Sequence, residues 1–214
     1  MAKLFVLTAG LSTPSTTRQV ADAIATAVKG TAADREVVEV TTVELREYAT
    51  DLAHAVTTGT STPRLDEVKR ALSAADGFVA VTPVFKAGYT GLFKMFFDVL
   101  DADALNGMPT IIAATAGTAR HSLVTEHALR PLLTFMRAVV VPTSLFAATE
   151  DFGGPESVEF NQRVGRAARE LTDVMLGKPG LGPDTGTTRT RKTGLDVEED
   201  FVPFSQLLQS HMGD

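Results

Sequence analysis

The sequence predicts an α/β protein, with a five-stranded parallel sheet covered by helices on both faces. Two observations carry this expectation. The short apolar runs lack the polar alternation of half-exposed strands, as strands buried on both faces do. Strand-like and helix-like runs also alternate five times along 214 residues.

The elements follow in order. KLFVLTA (3–9) is the first buried strand, and GLSTPS turns it into a helix over 15–30. Val20, Ile24, Ala27 and Val28 share one face of that helix, and Gly30 supplies a stop. EVVEVTTVEL (36–45) reads as the second strand, leading into a short helix, and residues 53–64 carry no period and read as an exposed loop. A helix over 65–75 places Leu65, Val68, Ala71 and Leu72 inward. GFVAVTP (77–83) is the third strand, stopped by Pro83. After the loop to Gly91, a helix to Leu100 is anchored by Leu92, Met95, Phe96 and Val99. MPTIIAATAG (108–117) is strand four. A helix over 120–138 carries Leu129, Leu132, Leu133 and Met136 at core spacing. VVVPTSLFA (139–147) is strand five, and 155–176 is the last helix. Five strands fit the flavodoxin-like order 2-1-3-4-5 better than a six-stranded Rossmann arrangement.

Residues 1–176 form one expected domain. Residues 177–194 are rich in Gly, Thr and basic side chains and read as a linker. The final stretch to 214 regains apolar residues at Phe201, Val202, Phe204, Leu207 and Leu208. It is expected to dock on its own core or on a neighbouring subunit, the alternative being a frayed terminus.

Composition narrows function. A net charge of −6 leaves no basic stripe for nucleic acid. With no cysteine there is no disulfide, thiolate catalysis or cysteine-held iron–sulfur cluster. No apolar run approaches the roughly 20 residues of a membrane span. The N-terminus enters a strand with no signal peptide before it, so the expected location is the cytoplasm. His54, His121, His127 and His211 do not suggest a metal site, His121 and His127 being expected on different faces of one helix.

Ligands of such sheets bind outside the carboxyl ends of the strands, near the reversal of strand order. Three loops there stand out. The turn Gly10 to Thr17 holds five hydroxyls, among them Ser12, Ser15, Thr16 and Thr17, and opens a helix whose first amides are unpaired. That suits a phosphate; the alternative is that one hydroxyl merely caps the helix. The chain contains neither GxxxxGK[ST] nor GxGxxG, so the phosphate expected is that of a monophosphate cofactor. The second loop runs from Thr82 through Pro83, Val84, Phe85, Lys86, Gly88 and Tyr89 to Gly91. Its glycines permit close backbone approach, its aromatic rings suit a flat ligand, and Lys86 adds a donor. Core packing is the alternative for Phe85 and Tyr89. The third loop, Thr115, Ala116, Gly117, Thr118 and Ala119, offers small side chains and free amides to the edge of a polar ring.

These residues resemble the NADPH-dependent FMN reductases of flavodoxin-like fold, near the reductase components of two-component monooxygenases. Thr82 to Gly91 resembles the family's TPVY-K-A-S/G-Y-S/T-G segment, Thr115 to Thr118 its T-G/A-G-T segment, and Ala128 to Pro131 its ALRP or ALKP sequence. The similarity covers about residues 3–175 and is strongest over 77–137. It implies that Ser12, Ser15, Thr16 and Thr17 hold the FMN phosphate. It implies also that Pro83, Val84, Phe85, Lys86 and Tyr89 contact the ribityl chain and ring, with Thr115 to Thr118 at the ring's far edge. Three departures stand out: the first turn lacks the family's arginine, His127 replaces a tyrosine found at a one-residue helix insertion in sulfonate-system relatives, and the tail from 177 lies outside the resemblance.

The implied reaction is hydride transfer from NADPH or NADH to FMN N5, which needs no catalytic residue because the cofactors carry the chemistry. Arg120 and His121 are candidates for an NADPH phosphate, or else solvent-exposed helix residues. Reduced FMN is expected to pass to a partner monooxygenase. The same bound FMN would serve a quinone or azo reductase, and a flavodoxin-type electron carrier is the reading from a different class. The resemblance implies a homodimer or homotetramer, with 53–64 and the tail as contact candidates.

Overall fold

A computed structural model describes residues 1–148, 156–177 and 191. At its centre lies a parallel sheet in the order β2-β1-β3-β5-β6, formed by β1 (Ala2–Thr8), β2 (Val38–Glu44), β3 (Gly77–Phe85), β5 (Pro109–Ala116) and β6 (Val139–Val140). This is the flavodoxin-like order. The sheet has seven strands rather than five, for two reasons. Gly88–Tyr89 (β4) folds back antiparallel on the end of β3, and the fifth strand is split into β6 and β7 (Leu145–Ala148), both parallel to β5. Pro142 sits in the split and has no N–H to give to a ladder. Thr143 instead donates both its N–H and its hydroxyl to the Glu170 carboxylate, at 2.8 and 2.7 Å.

Alternate residues of each central strand enter two cores, following the period of two of a pleated strand. Leu4 and Val6 face Val20, Ile24 and Val28 of α1 (Thr16–Ala32) and Val164, Ala168 and Leu171 of α6 (Glu156–Met175). Phe5 and Leu7 face the opposite layer. That layer comprises α2 (Ala49–Thr58), α3 (Pro63–Ser73), α4 (Gly91–Asp98) and α5 (Arg130–Phe135).

Several helices differ from the sequence reading. Residues 53–58, expected in a loop, belong to α2, whose inward side needs only Leu52 and Ala55. Thr57 and Thr58 return their hydroxyls to carbonyls in the preceding turn, and Gly59, at φ 71°, ends the helix in the left-handed conformation. In α4 the fully buried residues are Phe93, Phe96 and Phe97, while the expected anchors Leu92, Met95 and Val99 are only partly buried. Phe93 and Phe97 meet in a tilted contact at 4.8 Å, and Phe97 reaches Phe78 of β3, so the aromatic side of the helix faces the sheet.

The segment 120–138 is not one helix. A 3-10 turn (Ala119–His121) is followed by a π-helical turn (Thr125–Leu129) and then by α5. Leu129, Leu133 and Met136 are buried as expected, and Leu132 is partly buried. The expected tail 177–214 lies outside the described residues apart from Gly177 and Arg191. Among the described residues no helix is long and apolar enough to cross a membrane.

Candidate functional site

Strand order reverses between β1 and β3, and the loops that follow them are neighbours there: the Ala9 amide donates to the Val81 carbonyl at 2.9 Å. The first turn is built around Ser15. It caps α1 with extended backbone, its Oγ accepting the Arg18 amide at 3.2 Å. Gly10 makes room for this arrangement, since a Cβ there would lie 2.1 Å from Ser15 Oγ. Thr17 is buried, and its hydroxyl meets that of Thr115 at 2.9 Å, joining the first loop to the third. Ser12 and Thr16 are exposed. The first turn of α1 has no acidic residue to offset the positive end of the helix. The capping role is therefore real, but it uses one hydroxyl and leaves the rim of the turn open.

The second loop is a hairpin. Val84 and Phe85 pair with Tyr89 and Gly88, and Lys86 and Ala87 form its tip at φ 50° and 68°. Neither Gly88 nor Gly91 has positive φ, and the left-handed positions fall on Lys86 and Ala87. Antiparallel pairing demands the tight turn at those positions, whatever residues occupy them. Phe85 is 50% exposed, so core packing does not account for it. Tyr89 is half-buried with its ring 5.7 Å from Phe93, and Pro83 and Val84 are half-buried beside it. Thr82 locks the base of the hairpin by accepting the Thr90 amide at 3.2 Å, and Thr90 caps α4.

In the third loop Thr115 is buried, Ala116 half-buried, and Gly117 and Thr118 exposed. Arg120 and His121 follow and are exposed. They line a depression of about 280 Å³ with Ala87, Leu123, Val124, His127 and Ala128. His121 and His127 thus share one depression rather than lying on opposite helix faces, because the 3-10 and π turns replace a continuous α-helix between them. Two larger clefts touch none of the three loops: one along α6, about 600 Å³, and one between α2, α3 and α4, about 630 Å³.

Sequence reasoning missed a charged group beside the first turn. Arg46, in the 3-10 turn Leu45–Tyr48 after β2, donates to the Ser12 carbonyl at 3.2 Å and to the Thr13 hydroxyl. Glu44 holds Arg46 at 3.0 Å with one oxygen and Arg18 at 2.7 Å with the other. The hydrogen bond that Arg18 donates to Asp22 raises the guanidinium above its ordinary pKa. No local signal marks Arg46, because its contacts with the first turn lie 33 and 34 residues away.

The family described as NADPH-dependent FMN reductase matches residues 2–153. The NADH-dependent FMN reductase SfnF of Pseudomonas putida is 32% identical over 157 residues, covering 73% of this chain and 83% of that protein. An X-ray structure of an oxidoreductase from Corynebacterium diphtheriae superposes with a TM-score of 0.81 at 62% identity, covering 83% of this chain and 98% of that one. The apo form of the NADH:FMN oxidoreductase EMOB superposes with a TM-score of 0.68 at 25% identity, covering 91% and 96%.

Proposed function

Because this chain belongs to the NADPH-dependent FMN reductase family, and is thereby a flavin-reducing oxidoreductase using FMN and a nicotinamide nucleotide, we propose that its three loops form the flavin site. The observation that carries this is the hydroxyl-rimmed start of α1, free of acidic residues and tied to the third loop through Thr17 and Thr115. These residues fit a phosphate: the turn presents Ser12, Ser15 and Thr16 around unpaired helix amides, and Thr17 stiffens its base. When bound, FMN supplies the hydride-accepting N5 and the nicotinamide supplies the hydride.

The protein's own contribution is placement. Phe85 and Tyr89 offer flat surfaces, with Pro83 and Val84 below them and Lys86 at the hairpin tip. Thr115, Ala116, Gly117 and Thr118 border the ring on the other side. Arg120 and His121 take a phosphate of the nicotinamide nucleotide in the depression they share with His127. No side chain need move a proton in the reductive step. Reduced flavin then passes to a partner monooxygenase, and the enzyme works in the cytoplasm as a homodimer or homotetramer. Support for the monooxygenase partner comes from the resemblance of Thr82–Gly91 and Ala128–Pro131 to reductase components of two-component systems.

The test is a titration with FMN and riboflavin, followed by NADPH or NADH in air while nicotinamide oxidation is recorded. Micromolar FMN binding with turnover is expected. No flavin binding sinks the reading, and tight FMN binding without nicotinamide oxidation indicates an electron carrier instead. Ser15→Ala should weaken FMN about tenfold or more, the loss of a hydrogen bond to a charged group, and weaken riboflavin much less. Equal weakening of the two removes the phosphate from this turn.

A further inference from the structure

We propose that Arg46 is the cation of the flavin-phosphate seat, held in position by Glu44, and that it decides the preference for FMN over riboflavin. The proposal rests on the flavin reading above and adds to it a residue outside the three loops. The turn from Gly10 to Thr17 contains no basic side chain, so any guanidinium at its rim must come from elsewhere. The sheet register supplies one. Thr8, where β1 ends, pairs with Glu44, where β2 ends, so the residues just beyond the two strands emerge side by side. Arg46 stands two residues past that pairing and reaches across to the turn.

Its donors are apportioned in a way that leaves one group free. Nε forms an ion pair with the Glu44 carboxylate, and Nη1 donates to the Ser12 carbonyl and the Thr13 hydroxyl. Nη2 makes no hydrogen bond among the described residues, and the side chain is 30% exposed. Arg18 is the other guanidinium nearby, but two carboxylates engage it, Asp22 and Glu44, and Asp22 lies one helical turn further from the loop. Two arginines and two carboxylates leave this cluster with no net charge. Its effect on a phosphate is therefore directional: a donor fixed at the rim, opposite the open end of α1. Glu44 provides the fixing. It is 15% exposed and joins the turn's arginine to the helix's arginine, so the rim and the helix start keep their spacing before a ligand arrives.

The experiment compares Kd for FMN and riboflavin, by flavin fluorescence, in the parent, Arg46→Gln and Arg46→Lys, with thermal unfolding of each as a check of the fold. Arg46→Gln should weaken FMN about tenfold and change riboflavin less than twofold. Arg46→Lys should recover only part of the FMN loss, since a single ammonium cannot serve Glu44, the turn and a phosphate together. Equal weakening of both flavins by Arg46→Gln would show that the residue only braces the turn and would overturn the proposal, as would unchanged FMN binding. Full recovery by lysine overturns the positioning role of Glu44. If the parent binds neither flavin, the flavin reading itself fails and Arg46 falls with it, a result distinct from all the others.

Discussion

At Lys86 and Ala87 the backbone enters the left-handed region that glycine would occupy at lower cost, φ being 50° and 68°. Each non-glycine residue there costs roughly 1–2 kcal/mol, and the hairpin pairing of Val84–Phe85 with Gly88–Tyr89 must hold the turn against it. Such strain, at a loop proposed to border the flavin, fixes where Phe85 stands. Ala87→Gly should therefore stabilise the fold by about 0.5–1 kcal/mol, the relief of strain being partly offset by a more flexible unfolded chain. Urea unfolding midpoints measure this, and an unchanged midpoint would mean that the turn is relaxed in solution. Gly10 presents the opposite case. Its φ is unexceptional, and what excludes a larger residue is Ser15 Oγ, 2.1 Å from where a Cβ would stand.

Among the elements, the π turn Thr125–Leu129 is held to the split strand by side chains: Ser144 Oγ donates to the Thr125 hydroxyl at 3.3 Å, and Arg130 makes the larger set of bonds. Arg130 forks onto Glu126 at 2.6 and 3.1 Å and donates to the carbonyls of Val141 and Pro142 at 3.1 and 3.2 Å. The split leaves those carbonyls without strand partners, so the arginine supplies the donors that Pro142 and its neighbours do not. The hydrogen bond from Arg130 pushes the Glu126 carboxyl below its ordinary range. A carboxylate depressed on folding stabilises above its unfolded pKa of about 4.3 and loses that contribution as pH falls through the lower folded value. Glu126 is 42% exposed, so solvent screening keeps the ion-pair part small. Arg130→Ala should cost about 1–2 kcal/mol at pH 7, mostly through the two carbonyls. The gap between parent and variant should narrow below about pH 4 without closing, which thermal unfolding at pH 7 and about 3.5 would show.

At the level of the whole molecule, Arg191 bears on how the C-terminal segment relates to the core. Its guanidinium donates to the carbonyls of Ser73 and Ala75, at the C-terminal end of α3, and to Asn106 at 3.4 Å. A cation there also meets the negative end of the helix. The Arg191 side chain itself is thus held by backbone oxygens of the core. Arg191→Ala should lower Tm by about 2–4 °C, equivalent to roughly 1 kcal/mol in a chain of this size. An unchanged Tm would mean that these bonds add nothing to stability.

Much of this architecture was legible along the chain. The three central strands are continuous apolar runs because both faces are buried, and the serine and threonine turn announces itself by composition. Helix α2 was not legible, since two inward residues in a run of alanine and threonine leave almost no period. The inward side of α4 is legible only in part: Phe96 is inward as expected, but Phe93 and Phe97 compete with other apolar residues on nearly every side of that helix. The layers, the strand order and the three loops are readable along the chain, because burial and turn chemistry are written locally. That Thr17 meets Thr115, that Lys86 and Ala87 carry the strained turn, and that Arg46 reaches the first loop is visible in the folded chain alone. Those depend on strand register and on contacts between residues far apart in the chain, which no local pattern encodes.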